Sequence, residues 1–262
     1  MHPAYNKIGI GYNNTRQADP YLAERMYVLL KPETGGRYLD IGCGTGNYTR
    51  ALQQKGLQFT GVDPSEIMLN EARSKSKTID WLQGTAENIP CKNEGFSGAL
   101  GSLTLHHWQN IEKGIKELFR VLEPGARLVF FTSLPEQTES YWLMHYFPRL
   151  IKASAQDLPP LEFLKKCGSK AGFEFITREN YFVKDDLKDL FLQSGKNNPE
   201  LYFNENIRKG ISTFALLANK EEIDAGLKCL REDMDSGKFP EIKQKYESDI
   251  GDYCFVVFHK PA

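Results

Sequence analysis

The sequence predicts an α/β fold in which helices cover both faces of a doubly wound, mainly parallel sheet. Two observations lead to this prediction. Between residues 36 and 132, short apolar runs alternate with polar segments of helical periodicity, and a glycine-rich turn joins the first apolar run to the helical segment that follows it. Strands that alternate with helices imply parallel, right-handed crossovers, which place helices on both faces of the sheet.

The first predicted element is an amphipathic helix. Asp19 followed by Pro20 is typical of a helix start, and Leu22, Met26 and Leu29 keep helical spacing. Beyond this helix, strands are predicted at residues 37–41, 58–62, 79–83, 96–103 and 127–132, and helices at 47–55, 65–74 and 111–122.

The pattern is less regular after residue 132. An aromatic run at residues 141–147 either packs as a cap or lines a pocket, and the sequence leaves both alternatives open. The remaining predicted elements are a helix at 161–171, one bent or two short strands at 173–183, helical structure over 185–240, and a closing strand at 253–259.

The composition is that of an ordinary globular protein, with 262 residues of which 40% are hydrophobic and 26% charged. The 33 Lys and Arg residues nearly balance the 34 Asp and Glu residues, without long blocks of like charge. Because binding to a phosphate backbone needs clustered cations, nucleic acid is not an expected partner. No stretch reaches the roughly 18–20 apolar residues of a membrane span.

The cysteines and the first ten residues indicate a reducing environment inside the cell. Five cysteines occur without a C-x-x-C pair, and the first ten residues contain no apolar segment of a secretory signal. We therefore expect reduced thiols and a cytoplasmic location. No grouping of His, Cys and carboxylates predicts a metal site.

A glycine-rich turn follows the first predicted strand. Gly42, Gly44 and Gly46 lie at the crevice where doubly wound sheets bind ligands. The dinucleotide fingerprint would need glycine at position 47, where this chain has Asn47, and the Gly-Lys-Ser/Thr sequence of a P-loop is absent from the turn. The turn therefore favours a ligand without a phosphate group at this position.

Two acidic residues narrow the ligand further. Asp40, at the end of the first strand, would repel a pyrophosphate and attract an ammonium group. Asp63 ends the second strand, where a carboxylate can accept hydrogen bonds from both ribose hydroxyls; the alternative is a cap for the following helix. A nucleoside that carries an amino acid and no phosphate meets these conditions, and S-adenosylmethionine fits them.

Five motifs occur in order between residues 40 and 125. They are DIGCGTG at 40–46, GVDPSEIML at 61–69, GTAENIP at 84–90, LHHW at 105–108 and RVLEPG at 120–125. Together they resemble the class I S-adenosylmethionine-dependent methyltransferases, most closely the small-molecule branch that includes ubiquinone and menaquinone biosynthesis enzymes. The resemblance implies a Rossmann-like sheet of seven strands with helical lid segments, in which the last strand is antiparallel and lies beside the strand at 127–132.

The resemblance also assigns cofactor contacts by position. Where the family usually has Asp, this chain has Thr85, whose hydroxyl can still bond the adenine amino group. The assigned contacts are Asp40, Gly42, Gly44 and Gly46 for the methionine part, Asp63 for the ribose, Ile67 or Met68 for the adenine face, Thr85, Ala86 and Glu87 for the adenine edge, and Ser102 and Leu103 for the sulfonium side.

Two histidines follow the fourth strand, at the edge where the methyl group would be presented. His106 or His107 could act as a base if the acceptor must lose a proton; the alternative is a packed turn. We expect the aromatic run and the leading segment of the chain to form a lid around the acceptor, supported by residues 185–240. The alternative for the aromatic run is core packing, and the alternative for the leading segment is an ordinary loop. The predicted acceptor contacts are Tyr5, Tyr12, Arg16, Tyr141, Trp142, His145 and Tyr146.

These expectations divide the chain into four parts. The parts are a leading lid segment with the first helix at 1–35, a cofactor-binding core at 36–133, an aromatic lid insertion at 134–160, and the rest of the sheet at 161–262 with a helical insertion at about 185–240.

The expected reaction is in-line transfer of the methyl group from S-adenosylmethionine to a small-molecule acceptor, which leaves S-adenosylhomocysteine. The alternative is a non-catalytic S-adenosylmethionine-binding regulatory or interaction module. A nicotinamide-dependent oxidoreductase shares the sheet but is opposed by Asn47 and Asp40. The sequence leaves the acceptor, the methylated atom and the oligomeric state open.

Overall fold

The computed structural model describes residues 15–262, so Tyr5 and Tyr12 lie outside the described residues. Within that range the chain forms one seven-stranded sheet. Its strands are β1 (Arg37–Ile41), β2 (Gln58–Asp63), β3 (Asp80–Gln83), β4 (Phe96–Ser102), β5 (Leu122–Thr132), β6 (Glu174–Tyr181) and β7 (Tyr253–His259). The strand order is β3-β2-β1-β4-β5-β7-β6. The first five strands are parallel, and β7 runs antiparallel between β5 and β6.

Helices cover both faces of this sheet. The apolar faces of α1, α2 and α3 pack on one side, and those of α4 and α8 pack on the other. These helices are α1 (Pro20–Leu30), α2 (Asn47–Gln53), α3 (Glu66–Lys75), α4 (Ile111–Val121) and α8 (Leu161–Ala171). The prediction of a doubly wound α/β fold is confirmed.

The remaining helices lie in two insertions. The first, after β5, contains α5 (Pro135–Glu139), α6 (Leu143–Tyr146) and α7 (Pro148–Gln156). The second, between β6 and β7, contains a 3-10 turn (Pro199–Phe203), α9 (Glu205–Gly210), α10 (Ser212–Leu217), α11 (Lys220–Asp235) and α12 (Phe239–Gln244). The predicted helical stretch at 185–240 therefore begins later than expected, because residues 185–198 form turns.

Element boundaries follow local chemistry. The carboxylate of Asp19 accepts a hydrogen bond from the backbone N–H of Leu22 and caps α1, which ends where Lys31 adopts a left-handed conformation.

The predicted last strand is confirmed: β7 pairs antiparallel with β5, with Thr132 opposite Cys254. Residues 174–181 form one strand with a register shift rather than two strands.

The structure favours core packing, one of the two alternatives that the sequence leaves open for the aromatic run. Tyr141, Trp142 and Tyr146 lie in a third apolar cluster between the two insertions, and Trp142 is 1% exposed. The indole N–H of Trp142 donates to the carbonyl of Lys196 at 3.2 Å, and Tyr146 donates to Asp233 at 3.2 Å. These side chains pack inward because the insertion helices have too little contact with the sheet to bury their apolar faces there.

His145, which the sequence analysis predicts as an acceptor contact, lies at the surface. Its side chain is exposed and contacts the ring of Tyr146, with ring centroids 4.9 Å apart. Between residues 15 and 262, the chain has no helix with the length and apolar character needed to cross a membrane.

Replacement of Trp142 by Ala tests the core assignment. We expect Trp142→Ala to lower the free energy of unfolding by about 3–5 kcal/mol, because it removes a large buried ring and leaves a cavity. Urea denaturation followed by circular dichroism measures this change. His145→Ala, an exposed aromatic neighbour, is the control and should change stability by less than about 0.5 kcal/mol. Equal effects of both variants would contradict the assignment.

Candidate functional site

A cavity of about 760 Å³ lies at the carboxyl ends of the parallel strands. Its lining begins at the glycine turn after β1, crosses the ends of β2, β3 and β4, and continues to the insertions. The volume is within the range of small-molecule binding sites. Parallel α/β sheets bind ligands at this edge because the connections after the strands leave a crevice there.

The glycine turn lies against the sheet. The backbone N–H groups of Gly42 and Cys43 both donate to the carbonyl of Val62, at 2.8 and 3.1 Å. Gly42 has a φ of +72°, and a Cβ there would lie 2.0 Å from the hydroxyl oxygen of Thr104. Gly46 has a φ of +73°, and a Cβ there would lie 2.3 Å from the Trp81 ring. Glycine is therefore required at both positions.

Asp63 joins the glycine turn to the start of α3. One carboxylate oxygen accepts from the backbone N–H of Gly44 at 2.8 Å, and the other accepts from Ser65 at 2.8 Å. Each oxygen keeps a further lone pair, and the side chain lines the cavity. Burial raises the pKa of Asp63 to about 6, although the two N–H donors oppose this rise.

Asp40 lines a smaller cavity of about 60 Å³ behind the glycine turn. The two cavities share Arg16, Gly42, Gly44 and Ser102 in their linings, so they adjoin. Thr49 donates to the Asp40 carboxylate at 2.5 Å. Burial raises the pKa of Asp40 to about 7 despite this hydrogen bond.

Arg16 lies at the junction of the two cavities. Its guanidinium pairs with Asp189 through contacts of 2.5 and 3.2 Å, and the Tyr48 hydroxyl donates to the same carboxylate at 3.1 Å. The lining of the smaller cavity thus includes the guanidinium of Arg16 and the carboxylates of Asp40 and Asp189.

The residues assigned to adenine line the large cavity beyond Asp63. Ile67 is 43% exposed, whereas Met68 is buried to 1%. Thr85, Ala86 and Glu87 also line this part.

The two histidines lie in a 3-10 turn after β4. His106 and His107 both line the large cavity, with ring centroids 3.7 Å apart. Burial, together with the positive charge of Arg16, lowers the pKa of His106 to about 4. The His106 imidazole is therefore neutral at pH 7, and the same two causes make it a weaker base than an exposed histidine.

Comparison with known proteins identifies the family. A family model described as a methyltransferase domain matches residues 39–130. The crystal structure of a candidate methyltransferase from an antibiotic biosynthesis pathway of Anabaena variabilis is similar, with 31% identity and a TM-score of 0.83, over 93% of this chain and 98% of that chain. The chain belongs to the S-adenosylmethionine-dependent methyltransferase family. This confirms the resemblance found in the five motifs.

Curated relatives of this methyltransferase carry two different names. The demethylmenaquinone methyltransferase of Tropheryma whipplei is 28% identical over 209 residues, which cover 74% of this chain and 82% of the relative. The malonyl-[acyl-carrier protein] O-methyltransferase of Pectobacterium atrosepticum is 28% identical over 142 residues. That match covers 53% of this chain and 56% of the relative, so it spans only about half the length of each protein.

The structure brings together the residues predicted for the cofactor, the two histidines and Arg16, but not the aromatic run. The sequence did not predict most of the residues that line the large cavity beyond the two histidines. These residues come from separate segments without a shared sequence pattern, so they can be identified only in the folded protein. The missed residues are Ser133, Thr138, Ser154, Leu158, Phe191, Leu192, Ile211, Ser212, Thr213 and Tyr253.

The raised pKa of Asp40 predicts how the free energy of unfolding depends on pH. Because its folded pKa lies above its unfolded value, Asp40 stabilises the fold at low pH, and this contribution is lost as pH rises through about 7. We expect Asp40→Asn to raise the free energy of unfolding at pH 8 by more than about 1 kcal/mol and to change it less at pH 5. Urea denaturation at both pH values measures this. The same change at both pH values would contradict the assignment.

Proposed function

We propose that this chain transfers a methyl group from S-adenosylmethionine to a small-molecule acceptor held in the large cavity. One observation carries the proposal. A cavity that begins at the glycine turn and the buried carboxylate of Asp63 continues, past Ser102 and Leu103, into a region lined by His106 and His107. A single enclosure can therefore hold the methyl donor and an acceptor side by side. This continuity favours methyl transfer over a non-catalytic binding module.

The smaller cavity matches the zwitterionic amino-acid end of the cofactor. We assign its ammonium group to the side of Asp40 and its carboxylate to the guanidinium of Arg16, which charge complementarity supports. Asp189 then acts as a positioning residue for Arg16, a role that the sequence did not indicate.

The large cavity accommodates the nucleoside beyond this point. The free lone pairs of Asp63 can accept the ribose hydroxyls, while its existing bonds to Gly44 and Ser65 hold the carboxylate in place. The exposed side chain of Ile67 supports a contact with the adenine face. Thr85, Ala86 and Glu87 are the proposed contacts of the adenine edge.

The protein's part in the reaction is mainly alignment. S-adenosylmethionine supplies an activated methyl group on a sulfonium. The walls at Leu103 and His106 can hold an acceptor beside it and exclude water, and such positioning can lower a barrier by about 7–11 kcal/mol in favourable cases. A neutral histidine that removes a proton from the acceptor adds about 10²–10⁴-fold.

Binding of S-adenosylhomocysteine tests the cofactor assignment. At 100 times its Kd this ligand should stabilise the protein by about 2.7 kcal/mol, which raises the Tm by about 5–10 °C. Thermal denaturation measures the shift. Asp63→Ala should reduce it because the ribose hydroxyls lose their acceptor, whereas Asp80→Ala, at an exposed aspartate of β3, should not. A shift with NADH and none with S-adenosylhomocysteine would contradict the proposal.

Replacement of Arg16 tests the carboxylate contact separately. A charge-assisted hydrogen bond contributes about 1.5–3 kcal/mol, so Arg16→Ala should raise the Kd of S-adenosylhomocysteine by about 10- to 100-fold. The Kd of 5′-methylthioadenosine, which lacks the amino-acid end, should stay within about threefold. Isothermal titration calorimetry measures both values. Arg25→Ala removes a similar bidentate pair, with Glu179, outside the two cavities and serves as the control. An equal rise in both Kd values would contradict the assignment of Arg16 to the carboxylate of the cofactor.

A further inference from the structure

The large cavity has one half at the ends of β4 and β5, which the strand order separates from the ends of β2 and β3. We call it the acceptor half, and its lining runs from Ser102 onward in the chain. Among residues 15–262, no Asp, Glu, Lys or Arg side chain belongs to this part of the lining. Arg16, at the junction with the smaller cavity, pairs with the buried carboxylate of Asp189 and is assigned to the carboxylate of the cofactor. The lining of this half is Ser102, Leu103, Thr104, His106, His107, Trp108, Gln109, Ser133, Thr138, Ser154, Leu158, Phe191, Leu192, Ile211, Ser212, Thr213 and Tyr253.

This lining discriminates among acceptors by charge. A buried ion costs several kcal/mol unless it is paired. A carboxylate acceptor would reach only the guanidinium of Arg16, which already pairs with Asp189 and is assigned to the carboxylate of the cofactor. An ammonium acceptor would meet no carboxylate in this half and would lie near the positive sulfonium. An uncharged acceptor avoids both costs.

Eight residues of this half carry a hydroxyl, and four of these hydroxyls form two pairs. Ser133 and Thr138 lie 2.9 Å apart, and Ser154 and Thr213 lie 3.0 Å apart, between their oxygens. Only one hydrogen of a pair is needed for the bond within it, and every hydroxyl oxygen has two lone pairs. The Ser154–Thr213 pair can therefore donate to, or accept from, a neutral polar group.

Apolar side chains form much of the remaining wall. Leu158, Phe191, Leu192 and Ile211 are all buried, and each lines the cavity. Such a surface favours an acceptor with an apolar body, since its burial removes apolar area from water on both sides. The hydroxyl pairs then orient one neutral polar group on that body.

Two histidines line this half and can receive a proton. The rings of His106 and His107 both line the cavity and lie against each other, with centroids 3.7 Å apart. An uncharged hydroxyl must lose its proton when its oxygen is methylated. The described lining of this half offers no carboxylate for that proton, so a histidine is the base of choice.

We propose, on the basis of the function proposed above, that the acceptor is an uncharged, mainly apolar molecule whose reacting group is a hydroxyl, and that one histidine of the His106–His107 pair receives the hydroxyl proton. In this step the acceptor oxygen forms a bond to the methyl carbon, and the methyl–sulfur bond breaks with its electron pair on sulfur. The hydroxyl proton moves to that histidine and then to solvent. The products are a methyl ether and S-adenosylhomocysteine.

Three probes of the same shape and different charge test the acceptor class. The full chain is saturated with S-adenosylhomocysteine, and 2-naphthol, 2-naphthoate and protonated 2-(aminomethyl)naphthalene are titrated in by calorimetry. We expect 2-naphthol to bind at least tenfold more tightly than either charged probe. Equal or tighter binding of a charged probe, or no binding of any probe, overturns the proposal. Failure of the function proposed above would appear separately, as failure of S-adenosylhomocysteine to bind.

A charge-introducing variant gives an independent measurement. Thr213→Lys places a cation in the wall and should shift the preference toward 2-naphthoate by at least tenfold. Ser154→Lys replaces it if the first variant does not fold by circular dichroism. An unchanged preference in a folded variant would overturn the placement of the acceptor in this half.

The proton-accepting role of the histidine pair can be tested with the same probe. Excited 2-naphthol is a strong acid, so a bound molecule beside a base emits as naphtholate. We expect naphtholate emission from the wild type and naphthol emission from the double variant His106→Gln/His107→Gln, and the two single variants identify the ring that accepts the proton. Naphthol emission from the wild type, or naphtholate emission from the folded double variant, would overturn the assignment of the pair.

Discussion

The site depends on the carboxylate of Asp63. Its two hydrogen bonds join the backbone of the glycine turn after β1 to the start of the helix after β2. Because both N–H donors point at one side chain, the turn, the end of β2 and the start of α3 form one rigid edge. The same carboxylate faces the cavity, so the group that orders the site is also available to a ligand.

This arrangement costs stability. Burial raises the pKa of both Asp40 and Asp63 well above the usual value for aspartate, which means that their ionised forms are destabilised in the ligand-free protein. A ligand with a positive charge and ribose hydroxyls offsets that cost when it binds. Functional sites commonly carry such local destabilisation, and the rest of the fold compensates for it.

The two insertions form part of the cavity wall and support it with an apolar core of their own. Their aromatic cluster around Trp142 forms a separate apolar core, and this core holds α7 and α10 in position at the cavity wall. The aromatic residues therefore act on the acceptor side indirectly, through the helices they support. The hydroxyls of Ser154 and Thr213, on these two helices, are the groups that reach the cavity.

The sequence by itself determined the sheet, its helices, the glycine turn and the two aspartates, because each depends on periodicity or on short motifs within about ten residues. It also placed His106 and His107 at the correct edge. The fate of the aromatic run was decided only by the tertiary structure, since residues 141–147 are apolar enough for either a pocket or a core. The pairing of Arg16 with Asp189 joins positions 173 residues apart. Such contacts, like the uncharged wall of the acceptor half, arise only when distant segments pack together, and local sequence carries no physical record of that packing.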